Sequence, residues 1–458
     1  MQALIILSLI VFHLLDQQVG GVAVDGAWWR SATVPLVILF GPLAIGLQVL
    51  WTTRFSTDRS TYQERLPQIV VGFWFLSGLL LIAVLNWGSV LRHQWHLAAW
   101  APLDEIVLFA PLFLSLLLCW AAQFHVEQRL HGSESECEAT STARLRREFI
   151  AIRAQVFLLP AIAPLGAVII SQALGNWLAW ATGSAAVSTW SNLGFLLVVL
   201  AMLPWLFASI WRARRLPDGP LRSSLVATIK CQRVAFRDIR IWPTGNQLTN
   251  AMVVGIFPKL RILVLTDRLI RLLNPEELSV VVAHEAGHVR LGHMLTRIWF
   301  VLLPLVAFSI VPFLVPDQIS QSFVSNWIFA GAFEPLVGIA VASTYAIYAF
   351  WVMAWISRKM EFQADLFACQ KNLSPANREL DIAATANFCE SLIKLAADSG
   401  EDVRRSGWLH PSVASRVQFL RRATNCPTLI QGFNRSFARR KGVIMAAIWL
   451  SAIAIALL

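Results

Sequence analysis

Charge is scarce in this sequence. Only 14% of its 458 residues are Asp, Glu, Lys or Arg, while 57% are hydrophobic; an ordinary soluble domain is about 25% charged. So little charge cannot clothe a water-soluble globule of this length, and that class is excluded. Within the long apolar runs, ionisable residues are nearly missing, His13 at the edge of the first run being the chief one. This argues against an ion-coupled transporter, whose path needs buried acids or bases. Cysteine is also sparse. Cys119, Cys137, Cys231, Cys369, Cys389 and Cys426 form no CxxC pair, so neither a disulfide framework nor a cysteine zinc site is indicated. No internal repeat and no long low-complexity run occurs, and the acidic, polar stretch 131–143 reads as a loop.

What the chain has in abundance is apolar runs long enough to cross a bilayer, which takes roughly 20 residues as a helix. They fall near 3–20, 33–52, 69–91, 105–124, 154–180, 187–210, 295–315, 327–356 and 443–458. The first is the weakest, since its apolar part stops at Asp16. It reads as a short span or an uncleaved anchor, because Met1-Gln2 brings no Lys or Arg and no small-residue cleavage site follows. Several of the 20 tryptophans, such as Trp51, Trp211 and Trp299, sit where apolar runs meet polar ones, as interfacial anchors do.

The net charge of +11 is organised by these runs. With nine spans and an inner N-terminus, the inner loops hold Arg54, Arg59, Arg65, Arg129, Arg144, Arg146, Arg147 and Arg153, and the outer loops only Arg30 and Arg92. That asymmetry is the positive-inside rule. The basic charge is therefore topological, facing anionic headgroups of the lipid bilayer, and no nucleic-acid partner is expected. The expected organisation is a six-span membrane region at 1–211, strands plus a motif helix at 212–294, a two-span hairpin at 295–356, a second polar part at 357–442 and a final span at 443–458.

In the first polar part, Val234–Trp242, Ala251–Ile256 and Arg261–Thr266 are β-prone and separated by Pro243-Thr244-Gly245-Asn246 and Pro258. They predict a small antiparallel sheet. Asn274-Pro275-Glu276-Glu277 then opens a helix, with Asn as cap and Pro in the first position, running through His293. On it, His284 and His288 lie four residues apart, about 40° around the axis and one turn along. Both imidazoles can converge on one metal ion, with Glu285 beside them to accept a proton from water. Gly287 removes side-chain bulk next to a ligand. His293, nine residues from His284, is expected on the opposite helix face and not as a third ligand. The best third donor is Glu361, since the two spans after His288 return the chain to the side it left. Asp365 is one turn further on, placed to orient a ligand histidine through its free N–H.

His284-Glu285-Ala286-Gly287-His288, the following Gly292-His293, two spans, and then Ser357-Arg358-Lys359-Met360-Glu361-Phe362-Gln363-Ala364-Asp365 resemble metallopeptidase family 48. That family includes HtpX-type membrane proteases and CAAX prenyl protease 1 enzymes. The resemblance spans roughly 225–425. It implies ligation of one Zn2+ per chain by His284, His288 and Glu361, with Glu285 as general base. It further implies that His410, of His410-Pro411, stabilises the oxyanion, that Arg416 supports it, and that Asn250 and Ala251 mark an edge strand on which a peptide lies extended. Met252, where the family usually has an aromatic residue, and Asp267-Arg268, in place of small residues, depart from its pattern, as does the final span.

The expected protein is thus mainly α, with polytopic membrane helices and a gluzincin-type zinc protease domain. It would act on peptide or membrane-protein substrates, as a multi-pass protein of the inner membrane with its site on the cytoplasmic side. The alternatives are a CAAX-type processing protease with an intramembrane chamber, or a non-catalytic transporter or scaffold with a structural metal. A receptor-like protease is disfavoured by the absence of large external domains. A site-2-type enzyme is disfavoured because Glu276, Glu277, Arg290 and Arg297 bracket the motif helix.

Overall fold

A computed structural model describes residues 28–55, 59–97, 103–130, 139–314, 334–370, 379–400 and 402–457, with Ile5, Ser8, Leu9, Val11, Phe12, His13, Leu15, Asp16 and Gly20. Most of the first apolar run, residues 131–138 of the acidic loop and residues 315–333 of the expected hairpin lie outside the described residues. The chain forms two compact units, one of residues 1–199 with 332–346 and one of 200–331 with 347–458.

In the first unit, α1 (Trp28–Phe55), α2 (Arg59–Leu79) and α3 (Leu103–Leu130) pack against one another. Small residues let them approach: a Cβ on Gly41 would stand 2.7 Å from Cys119 Sγ. Trp74 donates its indole N–H to Leu112 O at 2.8 Å, tying α2 to α3 from inside. α4 (Ala139–Arg153), α5 (Leu159–Thr182) and α6 (Ala185–Ile210) follow. Among the described residues, Trp28–Leu47 and Leu103–Val126 are long and apolar enough to cross a membrane. The number rises to four if Gln68–Val84 with Trp87–Gln94, bent by 54°, and a second bent pair within 186–210 each count as one span. The protein is a membrane protein. Both arginines expected in outer loops are engaged: Arg30 donates to Leu85 O at 2.9 Å, and Arg92 lies 2.6 Å from Asp16, 3.2 Å from Asp104 and 3.2 Å from Glu105.

The second unit contains a four-stranded sheet in the order β1-β2-β4-β3, from Arg214–Arg215, Asp238–Trp242, Ala251–Val254 and Ile262–Thr266. A mainly α chain with a small sheet is what the sequence indicates, but the sheet is mixed and not purely antiparallel. β3 and β4 pair antiparallel, whereas β2 pairs parallel with β4, Ile239 opposite Leu263. The cause is connectivity. The short 255–261 link makes β3–β4 a hairpin and occupies one edge of β4, so β2 takes the other edge in the same direction as β4. That leaves β3 at the sheet's edge, and β4 buried along its whole length.

α7 (Pro220–Cys231) and α8 (Asp267–Leu272) precede the motif helix α9 (Pro275–Arg290), and α7 and β3 both pack on α9. α10 (His293–Leu314), α11 (Glu334–Ala368), α12 (Ile382–Ser399), α13 (Val413–Asn425) and α14 (Pro427–Leu457) complete the chain. The core under the sheet gathers Leu225, Leu263, Leu265, Leu278, Val282 and Phe388, each contributing about 1.5–3 kcal/mol by burial. The start of α9 forms as its residues dictate. Asn274 Oδ1 accepts from Glu277 N at 2.8 Å, and Glu277 accepts from Asn274 N at 3.0 Å, a reciprocal capping box. Glu277 is fully buried and paired with Lys394 at 2.5 Å, which fixes α9 against α12.

Candidate metal centre and active site

α9 and the end of α11 present three donors to one point. His284 Nε2 and His288 Nε2 are 3.1 Å apart, Glu361 Oε2 is 3.7 Å from the first and Glu361 Oε1 is 3.5 Å from the second. A tetrahedral zinc with bonds of about 2.0–2.1 Å needs ligand atoms roughly 3.3 Å apart, and these edges bracket that value. The triangle is enclosed, His284 and Glu361 being buried. The two helices come together at Gly287, where a Cβ would meet Phe367 Cδ1 at 3.0 Å and the Ala364 Cα at 3.4 Å. The missing side chain makes room for the other ligand-bearing helix.

Asp365 is fully buried. It stands 3.0 Å from His284 Nδ1 and accepts two hydrogen bonds from Arg416, at 2.8 and 2.5 Å. Burial works to raise the Asp365 carboxyl, but Arg416 and then His284 hold it below its ordinary value. Burial likewise opposes charge on His284, and Asp365 outweighs it, so the pKa of His284 is raised. His288, with no carboxylate behind it, is driven well below the usual imidazole range by burial and then by the charge of His284. Glu361 stays far below an ordinary carboxyl despite burial, chiefly through His410, whose Nδ1 is 3.2 Å from Oε2. Glu285 is partly open to solvent yet crowded by protein, and that burial raises its carboxyl to about 7, at the neutral point where a proton acceptor works best.

Residues 235–424 match the model of peptidase family M48. This stretch is an M48 peptidase domain. A "Protease HtpX" of Psychrobacter sp. (strain PRwf-1) is 26% identical over 246 residues, 48% of this chain and 79% of that protein. A "CAAX prenyl protease 1 homolog" of Dictyostelium discoideum is 33% identical over 175 residues, 35% of this chain and 39% of its own length. The corresponding homolog of Arabidopsis thaliana is 29% identical over 206 residues, 42% and 47%. The chain thus spans less than half of these two relatives. Among solved structures, S. mikatae Ste24p is similar with a TM-score of 0.45 and 18% identity, over 84% of this chain and 98% of that one. The His284, His288 and Glu361 cluster is the metal site typical of zinc M48 peptidases.

Elsewhere in the M48 domain, Asn250 immediately precedes β3 and Ala251 begins it. Asn250 N donates to Thr266 Oγ1 at 2.9 Å, Thr266 N donates to Asn250 O at 3.0 Å, and the outer edge of β3 faces no further strand among the described residues. His410 is 64% exposed at the rim, two residues before Ser412, which caps α13. Arg416, besides holding Asp365, has Nη1 3.8 Å from Glu361 Oε2.

Three side chains at the site escape the sequence reading. His293 does not face away. The motif helix ends at Arg290, Gly292 adopts a left-handed φ of 66°, and the reversal returns His293 Nδ1 to 2.9 Å from His288 Nδ1. Burial and then Arg297 push His293 down to about 3. Arg297, one turn along α10, reaches to 3.7 Å from Glu361 Oε1. Gln363 meets His293 from α11 at 3.3 Å. The available signal was Gly292 itself, a helix-ending residue one position before a histidine.

Proposed function

We propose that this protein is an integral membrane zinc endopeptidase that hydrolyses peptide bonds in membrane or membrane-associated proteins. The observation that carries this reading is the buried triangle of His284, His288 and Glu361 with Glu285 beside it. Two nitrogens and one carboxylate suit zinc and leave a fourth position free, the pattern of catalytic and not structural sites. The proposed occupancy is one Zn2+ per chain.

When bound, zinc polarises the scissile carbonyl and lowers the pKa of water to about 7. Glu285 accepts the water proton on its carboxylate and passes it to the leaving amine nitrogen. His410, exposed at the rim, donates to the developing oxyanion. Arg416 keeps Asp365 charged, and Asp365 keeps His284 oriented. The open edge of β3 at Asn250 and Ala251 holds an extended peptide by main-chain hydrogen bonds, a mode tolerant of many sequences. In this reading residues 212–294 and 357–442 are the two halves of the protease, 1–211 is a six-span region, and 295–356 and 443–458 supply further spans. The basic inner loops support a site on the cytoplasmic side of an inner membrane.

The matches to CAAX prenyl protease 1 homologs support a second reading, processing of a narrow class of C-terminal prenylated peptides. One experiment separates the possibilities. Detergent-purified wild type and Glu285→Gln are compared for zinc content and for cleavage of casein and of a farnesylated peptide. One zinc in each, with cleavage only by wild type, is expected. Casein cleavage supports the broad enzyme, and cleavage of the farnesylated peptide alone supports the second reading. An active Glu285→Gln enzyme overturns the mechanism.

A further inference from the structure

A histidine that binds a metal through one nitrogen needs a partner for the other, and that partner sets its tautomer. The two histidines here are served differently. His284 has the carboxylate of Asp365 at Nδ1. His288 has His293, 2.9 Å away and 2% exposed. Beyond it, His293 Nε2 is 3.3 Å from Gln363 Oε1, and Gln363 Nε2 donates to Asn434 Oδ1 at 2.7 Å.

The direction of every proton in this chain is set by the amide of Gln363, whose Nε2 faces Asn434 Oδ1 and whose Oε1 faces His293. His293 therefore carries its proton on Nε2 and offers a lone pair at Nδ1. His288 must then donate from Nδ1, leaving the lone pair of Nε2 facing His284 and Glu361. The opposite tautomer of His288 would make His293 donate from Nδ1 and set its bare Nε2 against the bare oxygen of Gln363. Three helices take part: His293 opens α10, Gln363 lies on α11 two residues past Glu361, and Asn434 belongs to α14. A neutral imidazole also orients His288 without adding a fourth negative group to a pocket that holds Glu285, Glu361 and Asp365.

We propose that His293 is a positioning residue of the metal centre. With Gln363 and Asn434 behind it, it locks His288 in the ligand-competent tautomer and couples the site to the C-terminal helix. This rests on the zinc reading above. The test is the zinc affinity of the full-length protein in detergent, measured by competition with a chromophoric chelator, with a thermal melt as a check on folding. His293→Leu removes the acceptor, His293→Asn retains an oxygen where Nδ1 stands, and Gln363→Leu breaks the next link. Zinc should bind 10–100-fold more weakly to His293→Leu, recover most of that loss in His293→Asn, and bind measurably more weakly to Gln363→Leu. Unchanged affinity in His293→Leu, or a His293→Asn protein as weak as the Leu variant, overturns the proposal. Should His293→Leu fail to fold, Gln363→Leu decides it, and wild-type affinity there sinks the relay. A wild type that takes up no zinc would instead refute the metal-site reading.

Discussion

Asp365 serves two partners with one carboxylate, His284 on one side and Arg416 on the other, both buried with it. Asp365→Asn therefore does more than loosen a ligand: it removes the carboxylate that Arg416 grips with two hydrogen bonds and leaves the buried guanidinium only Glu361, 3.8 Å away. Stripping one partner from such a pair costs about 3–5 kcal/mol, and a lost ligand orienter weakens metal binding by about 10–100-fold. The pH dependence has a definite sign. Asp365 titrates below its ordinary value in the fold, so its contribution is present above about 3.9, the unfolded value, and lost as pH falls through the lower folded value. His284 titrates above 6.5, so its contribution is complete below 6.5 and lost as pH rises through the raised value. For zinc-free protein, the melting-temperature gap between wild type and Asp365→Asn should be widest from about pH 4 to 6.5 and narrow on both sides. A gap that widens steadily into alkaline pH would contradict the His284 pairing.

At the scale of elements, Asp267-Arg268 shows where residue type reads more easily than position. The pair departs from the family pattern, yet each side chain has a definite task. Asp267 accepts from Thr244 N, Thr244 Oγ1 and Asn246 N, at 3.1, 2.6 and 3.2 Å, folding the 244–246 turn onto the start of α8. Arg268 grips Asp398 on α12 at 2.6 and 2.8 Å and Asn246 O at 2.7 Å, while Thr249 donates to the same Asp398 at 2.5 Å. The segment leading into β3 is thereby pinned on the side from which Asn250 and Ala251 emerge. Arg268→Ala should raise KM for extended peptides more than it lowers kcat, with zinc content unchanged. A double-mutant cycle with Asp398→Ala should return a coupling of roughly 0.5–3 kcal/mol, and additive effects would show the contact to be idle. None of this could be read from sequence, because Asp398 is 130 residues from Arg268. Local features were legible: the Asn274 cap, the His284–His288 spacing and the β-prone runs each depend on near neighbours. The parallel β2–β4 pairing and the approach of Ala364 to Gly287 depend on how distant segments meet, and periodicity does not record that; the return of His293 is local, set by the left-handed turn at Gly292.

For the whole molecule, two native thiols report which side of the membrane carries the site. Cys231 ends α7 and Cys426 lies between α13 and α14, both exposed and both in the unit of residues 200–331 and 347–458 that holds the metal centre. Cys119, Cys369 and Cys389 are buried. Cys426 is moreover primed to react, since the Thr428 hydroxyl 3.2 Å away and then the Leu429 backbone hold its thiol below the usual value, raising the thiolate fraction available at neutral pH. The proposed topology puts both on the inner side, next to the basic clusters Arg421-Arg422 and Arg439-Arg440-Lys441. In a Cys137→Ser background, a membrane-impermeant maleimide added to right-side-out vesicles should leave the protein unlabelled. The same reagent on inverted vesicles should label Cys426 first and Cys231 more slowly, with Cys426→Ser removing the fast phase. Labelling from the outside would invert the topology. It would leave the chemistry at His284, Glu285 and His288 untouched but move the substrates to the opposite face, since an edge strand can take only peptides that reach it.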